Sequence, residues 1–520
     1  MFGFLLYLPA LLLTILGLSL WLYFDGRNRI ASWWRGLFSG SLVLYLLSLF
    51  SSGLSWEQLW PTLIRDLFLL AIIPSVLKTF GGSRKVFFAM LLLTLGLVAW
   101  YESRQAQKAL AQLREKTAEG ESETLSATEL DWEYLIDLKG EPSQEALSRL
   151  AKAYKFQIRK AFRMQHPEWG HLDEYYLIDL PEGSEEKGPK LEKELYQQGL
   201  VDWVEENESI QIHPIEARLP KPRRRDYGLN DPELGRLWSF DLMQVNRLYD
   251  FIRLLPVKPR KKALIAILDT GIDGQHEDLK TQYQSIKSEY DRDVREHGTH
   301  CAGIAAAVSN NGIGIASLAP STGYVQVTSV KVLNDYGSGQ QNRIIQGILE
   351  AADAGADVIS LSLGGRSSPS KQKAYEEAVA YAHRAGAIVV VAAGNDNRNA
   401  RFYAPANVSG VITVAAVDST GSKASFSNTV QALPYGIAAP GVAIYSTTPN
   451  NTYKSFSGTS MATPYVAGLL ALMKSYQPDL TTREAWQILH DTGKETADGK
   501  YTGRLIQPAA ALRQLMGTNN

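Results

Sequence analysis

The chain has 520 residues, enough for more than one domain. Its 53 Lys and Arg balance 54 Asp and Glu, and a formal net charge of −1 gives no global field that would draw nucleic acid. A single cysteine, Cys301, excludes an intrachain disulfide.

The mean hydropathy of −0.14 averages over two unlike halves. Phe4 to Phe24 is a run of about twenty apolar residues without a charge, which is bilayer length. Further runs cover Gly36 to Leu54, Leu59 to Phe80 and Val86 to Tyr101; the third is the weakest, with Pro61, Arg65, Asp66 and Pro74. Residues 1–101 therefore read as an all-α transmembrane region of about four helices. The first run lacks a basic leader and is too long for a cleavable signal. Arg27, Arg29 and Arg35 follow the first run, and Lys78, Arg84 and Lys85 follow the third. If all four runs span, the positive-inside rule puts both basic loops in the cytoplasm and everything after Tyr101 on the extracytoplasmic side. A re-entrant third segment would reverse that.

Residues 102–128, rich in Glu, Gln, Lys, Ala and Ser, read as a linker. Residues 129–217 then alternate strand and helix patterns. Trp132–Leu138 is a strand, Ser143–Tyr154 a helix, Phe156–Met164 and Tyr175–Leu180 strands, Leu191–Gln198 a helix and Val201–Glu206 a strand. That order, βαββαβ, predicts a ferredoxin-like α+β module. Residues 218–230 form a basic linker. Its run Leu219-Pro220-Lys221-Pro222-Arg223-Arg224-Arg225-Asp226 is broken by proline and is a candidate processing site.

In residues 231–516 the motifs carry chemistry. Ala263–Leu268 is a continuous apolar run of strand length, and Asp269-Thr270-Gly271 follows at once. This predicts a buried parallel strand that delivers a carboxylate at its carboxyl end. Asp-Thr-Gly alone also marks aspartic proteases and ordinary strand ends. His297-Gly298-Thr299-His300-Cys301-Ala302-Gly303 opens a helix of small residues. Ile359-Ser360-Leu361-Ser362-Leu363-Gly364-Gly365 is a strand that runs into a glycine pair, and Ala392-Ala393-Gly394-Asn395 ends another. Finally, Ser457-Gly458-Thr459-Ser460-Met461-Ala462-Thr463-Pro464 places one serine at the mouth of an apolar helix. A hydroxyl there sits at the positive end of the helix dipole, but it is inert without a base.

Four of these blocks, around Asp269, His297, Asn395 and Ser460, occur in the order of the subtilisin triad. Over roughly residues 226–516 the chain resembles the subtilisin-like serine proteases, the subtilases. The resemblance implies an α/β fold with a parallel sheet and helices on both faces, and a serine endopeptidase. It makes Ser460 the nucleophile, His297 the general base and acid, Asp269 the group that orients His297, and Asn395 a side-chain donor of the oxyanion hole. Ser362, Leu363 and Gly364 correspond to the segment that pairs with substrate backbone, and Ala392, Ala393 and Gly394 to a wall of the specificity pocket. The stretch after Asn395 and the cysteine in the histidine block are similar to the proteinase K branch. Protein or peptide substrates are the implied partners, and no cofactor is required for the chemistry.

The module before the protease resembles a subtilase propeptide, above all at Val204-Glu205-Glu206-Asn207. That implies a self-inhibited zymogen whose own prodomain is an intramolecular inhibitor. A structural calcium is implied at Asp278 and Asn311, although Asn310-Asn311-Gly312 is also simply a turn. His276, His300 and Cys301 read as packing residues. Two other functions remain open: a catalytically silent binding module of the same fold, and a membrane sensor or scaffold that gates the protease.

Overall fold

The computed structural model describes residues 2–24, 28–50, scattered positions between 63 and 91, and residues 133–139, 144–212, 215–218, 227–367 and 372–517. It divides into two compact units, Met1–Glu129 and Leu130–Asn520.

In the first unit the helices Phe2–Tyr23 and Asn28–Phe50 are described. Ala10, Leu11, Ile15, Tyr45 and Leu70 bury one another, and the Tyr45 hydroxyl donates to Asp66 Oδ2 at 2.9 Å. Among the described residues no helix is long and apolar enough to cross a membrane. In the first helix the described side chains begin at Ala10. The second carries Arg29, Arg35 and the serines Ser32, Ser39, Ser41 and Ser48. The third and fourth apolar runs, like the linker 102–128, fall wholly or largely outside the described residues.

The second unit begins with a four-stranded antiparallel sheet. Its strands lie in the order Gln157–Lys160, Tyr175–Asp179, Tyr134–Leu138, Val201–Glu206. Side chains alternate across this sheet with the period of two that a strand imposes. Ile136 and Ile178 face the helices Gln144–Tyr154 and Gly188–Gln197, where they meet Leu150, Leu191 and Leu195. Leu135 and Leu177 point the other way, into the core that holds Ile345, Leu349 and Tyr375 of the larger domain. The strand expected at Phe156–Met164 is shorter. From Ala161 the chain turns onto the larger domain, and the Arg163 N–H donates to Gln346 at 2.9 Å.

The larger domain is built on a six-stranded parallel sheet. The strands lie in the order Gly436–Pro440, Ile412–Val417, Ile388–Ala392, Val358–Leu361, Ala263–Asp269, Val325–Lys331. Every residue of Ala263–Asp269 is buried. Ile265 and Ile267 feed one face, which is covered by the helices His297–Ala306 and Thr459–Tyr476. Ala266 and Leu268 feed the other, covered by Gln341–Asp353 and Lys373–Arg384. Small residues bring the two helices of the first face close together. A Cβ added to Gly468 would stand 2.6 Å from the Ala305 carbonyl oxygen.

Candidate active site

The first strand of the parallel sheet pairs with the second on one side and the third on the other. Its carboxyl end is therefore the point where strand order reverses, and open α/β sheets leave a crevice there. Asp269 ends that strand. Its Oδ1 and Oδ2 lie 2.8 and 2.9 Å from Nδ1 of His297. The carboxylate calls for a proton on Nδ1, which leaves the Nε2 lone pair free. The Thr270 N–H donates to Asp269 Oδ1 at 2.8 Å and braces the carboxylate. Close packing needs the glycine after the histidine: a Cβ on Gly298 would stand 2.1 Å from the Gly271 carbonyl oxygen. Burial alone would push the His297 imidazole down. The Asp269 charge and hydrogen bond outweigh it and hold the ring well above the usual histidine range.

Ser460 is the second residue of the helix Thr459–Tyr476. Its hydroxyl donates to the Ser362 carbonyl at 3.0 Å, and the Ser362 hydroxyl donates to the Ser460 carbonyl at 2.8 Å. In this state the Ser460 proton points at Ser362 rather than at His297. Cys301 lies between the two blocks, with Sγ 4.0 Å from His297 Nδ1 and 3.5 Å from the Ser460 carbonyl. Burial pushes its thiol up, which keeps it protonated. His300 is buried; its Nε2 lies 3.2 Å from the Lys454 carbonyl and its ring stacks on Phe456. Burial takes it down to about 3, so it stays neutral. His276 is likewise buried, between the Thr452 carbonyl and the Asp278 N–H.

Asn395 follows Gly394, whose φ of +98° suits a residue without a Cβ. The Asn395 side-chain oxygen accepts from the Thr459 N–H at 2.8 Å and the Thr459 hydroxyl at 3.0 Å. Both bonds fall on the oxygen, so the amide presents its NH₂ group as a donor. Ala392 and Ala393 are buried at the end of their strand, and the Gly394 N–H donates to Thr459 Oγ1 at 3.1 Å. Leu363 is buried, and Gly364 lies close against the Ala404 carbonyl.

Two described segments of the chain lie against the edges of this crevice. Ser209–Gln211 pairs antiparallel with Ser338–Gln340, and the Ile212 N–H donates to the Gly337 carbonyl at 2.9 Å. Beyond, Ile215–Glu216 pairs with Phe456–Ser457, and the Ala217 N–H donates to the Ser455 carbonyl at 2.8 Å. Described segments thus flank Ser460 on both sides. The sequence reading missed the strand Ser338–Gln340, because Ser-Gly-Gln carries neither alternation nor β-branched residues. Its signal was the turn at Gly337, where φ is +81°. The module is also clamped from above. Glu205 accepts from Gln341 Nε2 at 2.8 Å, and the N–H groups of Lys373 and Ala374 at a helix N-terminus point to it. Burial pushes the Glu205 carboxyl up to about 7.

Asp278 is fully buried and belongs to no ion pair among the described residues. Burial, with the Asp231 charge adding to it, pushes its carboxyl up to about 7. Asn311 Nδ2 lies 2.9 Å from Asp278 Oδ1, and Asp231 accepts the N–H groups of Asn310 and Asn311 at 2.8 and 3.1 Å. Two carboxylates and an amide thus meet from three separate segments, and oxygen donors of this kind suit a hard cation such as calcium. Asp231 was not among the expected ligands; its signal was an acidic residue in Asn230-Asp231-Pro232 ahead of the domain.

A family model described as the subtilase family matches residues 260–507. Subtilisin DY of Bacillus licheniformis is 43% identical over 258 residues, covering 48% of this chain and 90% of the relative. Thermitase of Thermoactinomyces vulgaris is 47% identical over 222 residues, covering 41% of this chain and 75% of the relative. A thermophilic serine proteinase of Bacillus sp. (strain AK1) is 46% identical over 220 residues, covering 41% of this chain and 52% of the relative. With identity at this level across nine tenths of a relative's length, the chain belongs to the subtilase family and is a subtilisin-like serine protease.

Proposed function

We propose that the chain is an endopeptidase that acts through Ser460, His297 and Asp269 and is held inactive by its own residues 129–217. The observation that carries this reading is the contact of both Asp269 carboxylate oxygens with His297 Nδ1, in a domain whose strand Ser338–Gln340 already pairs with the module's own Ser209–Gln211. In the reaction the Ser460 hydroxyl turns from the Ser362 carbonyl to His297 Nε2. Its oxygen attacks the scissile carbonyl carbon while its proton passes to Nε2. The negative oxygen that forms is met by Asn395 and by the Ser460 N–H. His297 then gives the proton to the leaving amine, and water repeats the sequence on the acyl-enzyme.

The module acts as a propeptide in this reading. Its sheet docks through Leu135 and Leu177, and its tail occupies the groove as a substrate would. Self-cleavage somewhere in residues 207–231 converts the zymogen. Residues 1–101 serve as the membrane anchor, with the protease on the extracytoplasmic side. This part rests on the apolar runs and on the placement of Arg27, Arg29, Arg35, Lys78, Arg84 and Lys85. A structural calcium would be held by Asp278 and Asn311, with Asp231 beside them.

Intact-mass analysis of the wild type and Ser460→Ala tests the reading. Self-cleavage vanishes in Ser460→Ala and persists when Arg223, Arg224 and Arg225 are all replaced by alanine. Cleavage by a separate basic-specific protease gives the reverse. Peptide hydrolysis that survives in Ser460→Ala removes the assignment.

A further inference from the structure

Among the described residues, Arg295 beside Gly337 has no counter-charge. Arg295 lies two residues before His297, and its backbone N–H donates to Asp293 at 3.0 Å. Its side-chain Nε is buried and has no hydrogen-bond partner among the described residues. A Cβ added to Gly337 would stand 3.0 Å from Ile212 Cγ1 and 3.5 Å from Arg295 Nε. Arg295 and Ile212 therefore converge on Gly337, whose carbonyl holds the Ile212 N–H. The acids nearby are engaged elsewhere. Glu296 takes Lys454 on both oxygens at 2.7 Å, and Asp335 takes Lys331. Asp293 accepts from Thr270, from Thr299 and from three backbone N–H groups. Arg295 belongs to no ion pair among the described residues.

We propose that Arg295 is a specificity-determining residue, which favours substrates with Asp or Glu at the position that Ile212 occupies in the groove. This rests on reading Ser209–Ile212 as a stand-in for substrate. An unmet buried donor costs free energy that an apolar side chain cannot return. A carboxylate there makes a charge-assisted bond to the guanidinium. Glu296 is instead paired with Lys454 on both oxygens. The chain's own Ile212 leaves the donor unmet, so an acidic substrate is the better occupant and displaces the self-bound strand more readily than an apolar one.

The test uses the full chain with peptides randomised at each position before the cut, and compares rates within one preparation. Wild type cuts peptides with Asp or Glu at one such position about tenfold faster than those with Ile or Lys, as one charged hydrogen bond allows. The preference fades at high salt and in Arg295→Met, and it inverts towards Lys in Arg295→Glu. These are ratios between substrates, so partial misfolding of a variant does not change them. Equal or apolar preference at every position, the same in wild type and Arg295→Glu, overturns the proposal. In that case Ser460→Ala still abolishes cleavage. If Ser460→Ala cleaves like wild type, the underlying reading of the site fails and this inference fails with it.

Discussion

Thr459 aims Asn395. Its N–H and hydroxyl both bond the Asn395 side-chain oxygen, at 2.8 and 3.0 Å, and so fix which end of the amide faces the groove. The residue before the nucleophile thereby orients the donor proposed to meet the charge that the nucleophile creates. Asn395→Leu should lower kcat by about 10²–10³-fold with KM nearly unchanged, a magnitude established on subtilisin itself. Thr459→Val keeps the N–H bond but loses the hydroxyl, and should cost about tenfold in kcat. A rise in KM at constant kcat in either variant would move Asn395 into ground-state binding.

Activity should rise with pH as His297 loses its proton, because only the neutral ring accepts from Ser460. The Asp269 carboxylate holds His297 above its ordinary range, so the midpoint should lie above about 6.5, the value for an unperturbed histidine. Asp269→Asn removes that support and should shift the midpoint down while lowering kcat. A kcat/KM profile with its midpoint below 6 in the wild type would count against the pair.

Docking of the module should weaken as pH rises. Glu205 is protonated up to about 7 when buried at the interface, against an ordinary glutamate value of 4.5. The docked state therefore binds more protons than the free one between those limits. Docking is strongest below that window and loses strength through it, because above pH 7 a desolvated carboxylate must be kept. Glu205→Gln should flatten the pH dependence of latency, measured as the lag before peptide hydrolysis begins. A lag that shortens with pH equally in both chains would place the sensitive group elsewhere.

A hard cation at Asp278 and Asp231 should stabilise the fold. At a concentration a hundredfold above its dissociation constant, calcium adds about 2.7 kcal/mol. That is a rise in Tm of roughly 5–10 °C for a domain of this size. Asp278→Asn should remove the rise. Equal Tm in calcium and in chelator would show that the cluster is a hydrogen-bonded turn and nothing more.

Local chemistry was legible in the sequence wherever one residue type or one period sufficed. A continuous apolar run of strand length closed by Asp-Thr-Gly, such as Ala263–Leu268, reads as a strand buried on both faces. A serine between small residues at the start of an apolar helix sits at the helix mouth. The order of the blocks around Asp269, His297, Asn395 and Ser460 pointed to one family, because each block places one chemical group at one strand or helix end. Other features depended on contacts between distant segments, which no local pattern records. Ser338–Gln340 is a strand only because Ser209–Gln211 lies beside it. Asp231 joins Asp278 because the start of the domain folds back onto the loop after the histidine helix. The rotamer of Ser460, the raised ionisation of His297 and the unmet Nε of Arg295 come from neighbours remote in sequence. Periodicity sets which face a residue occupies, but burial and charge depend on what packs against that face, and that is decided only when the chain closes on itself.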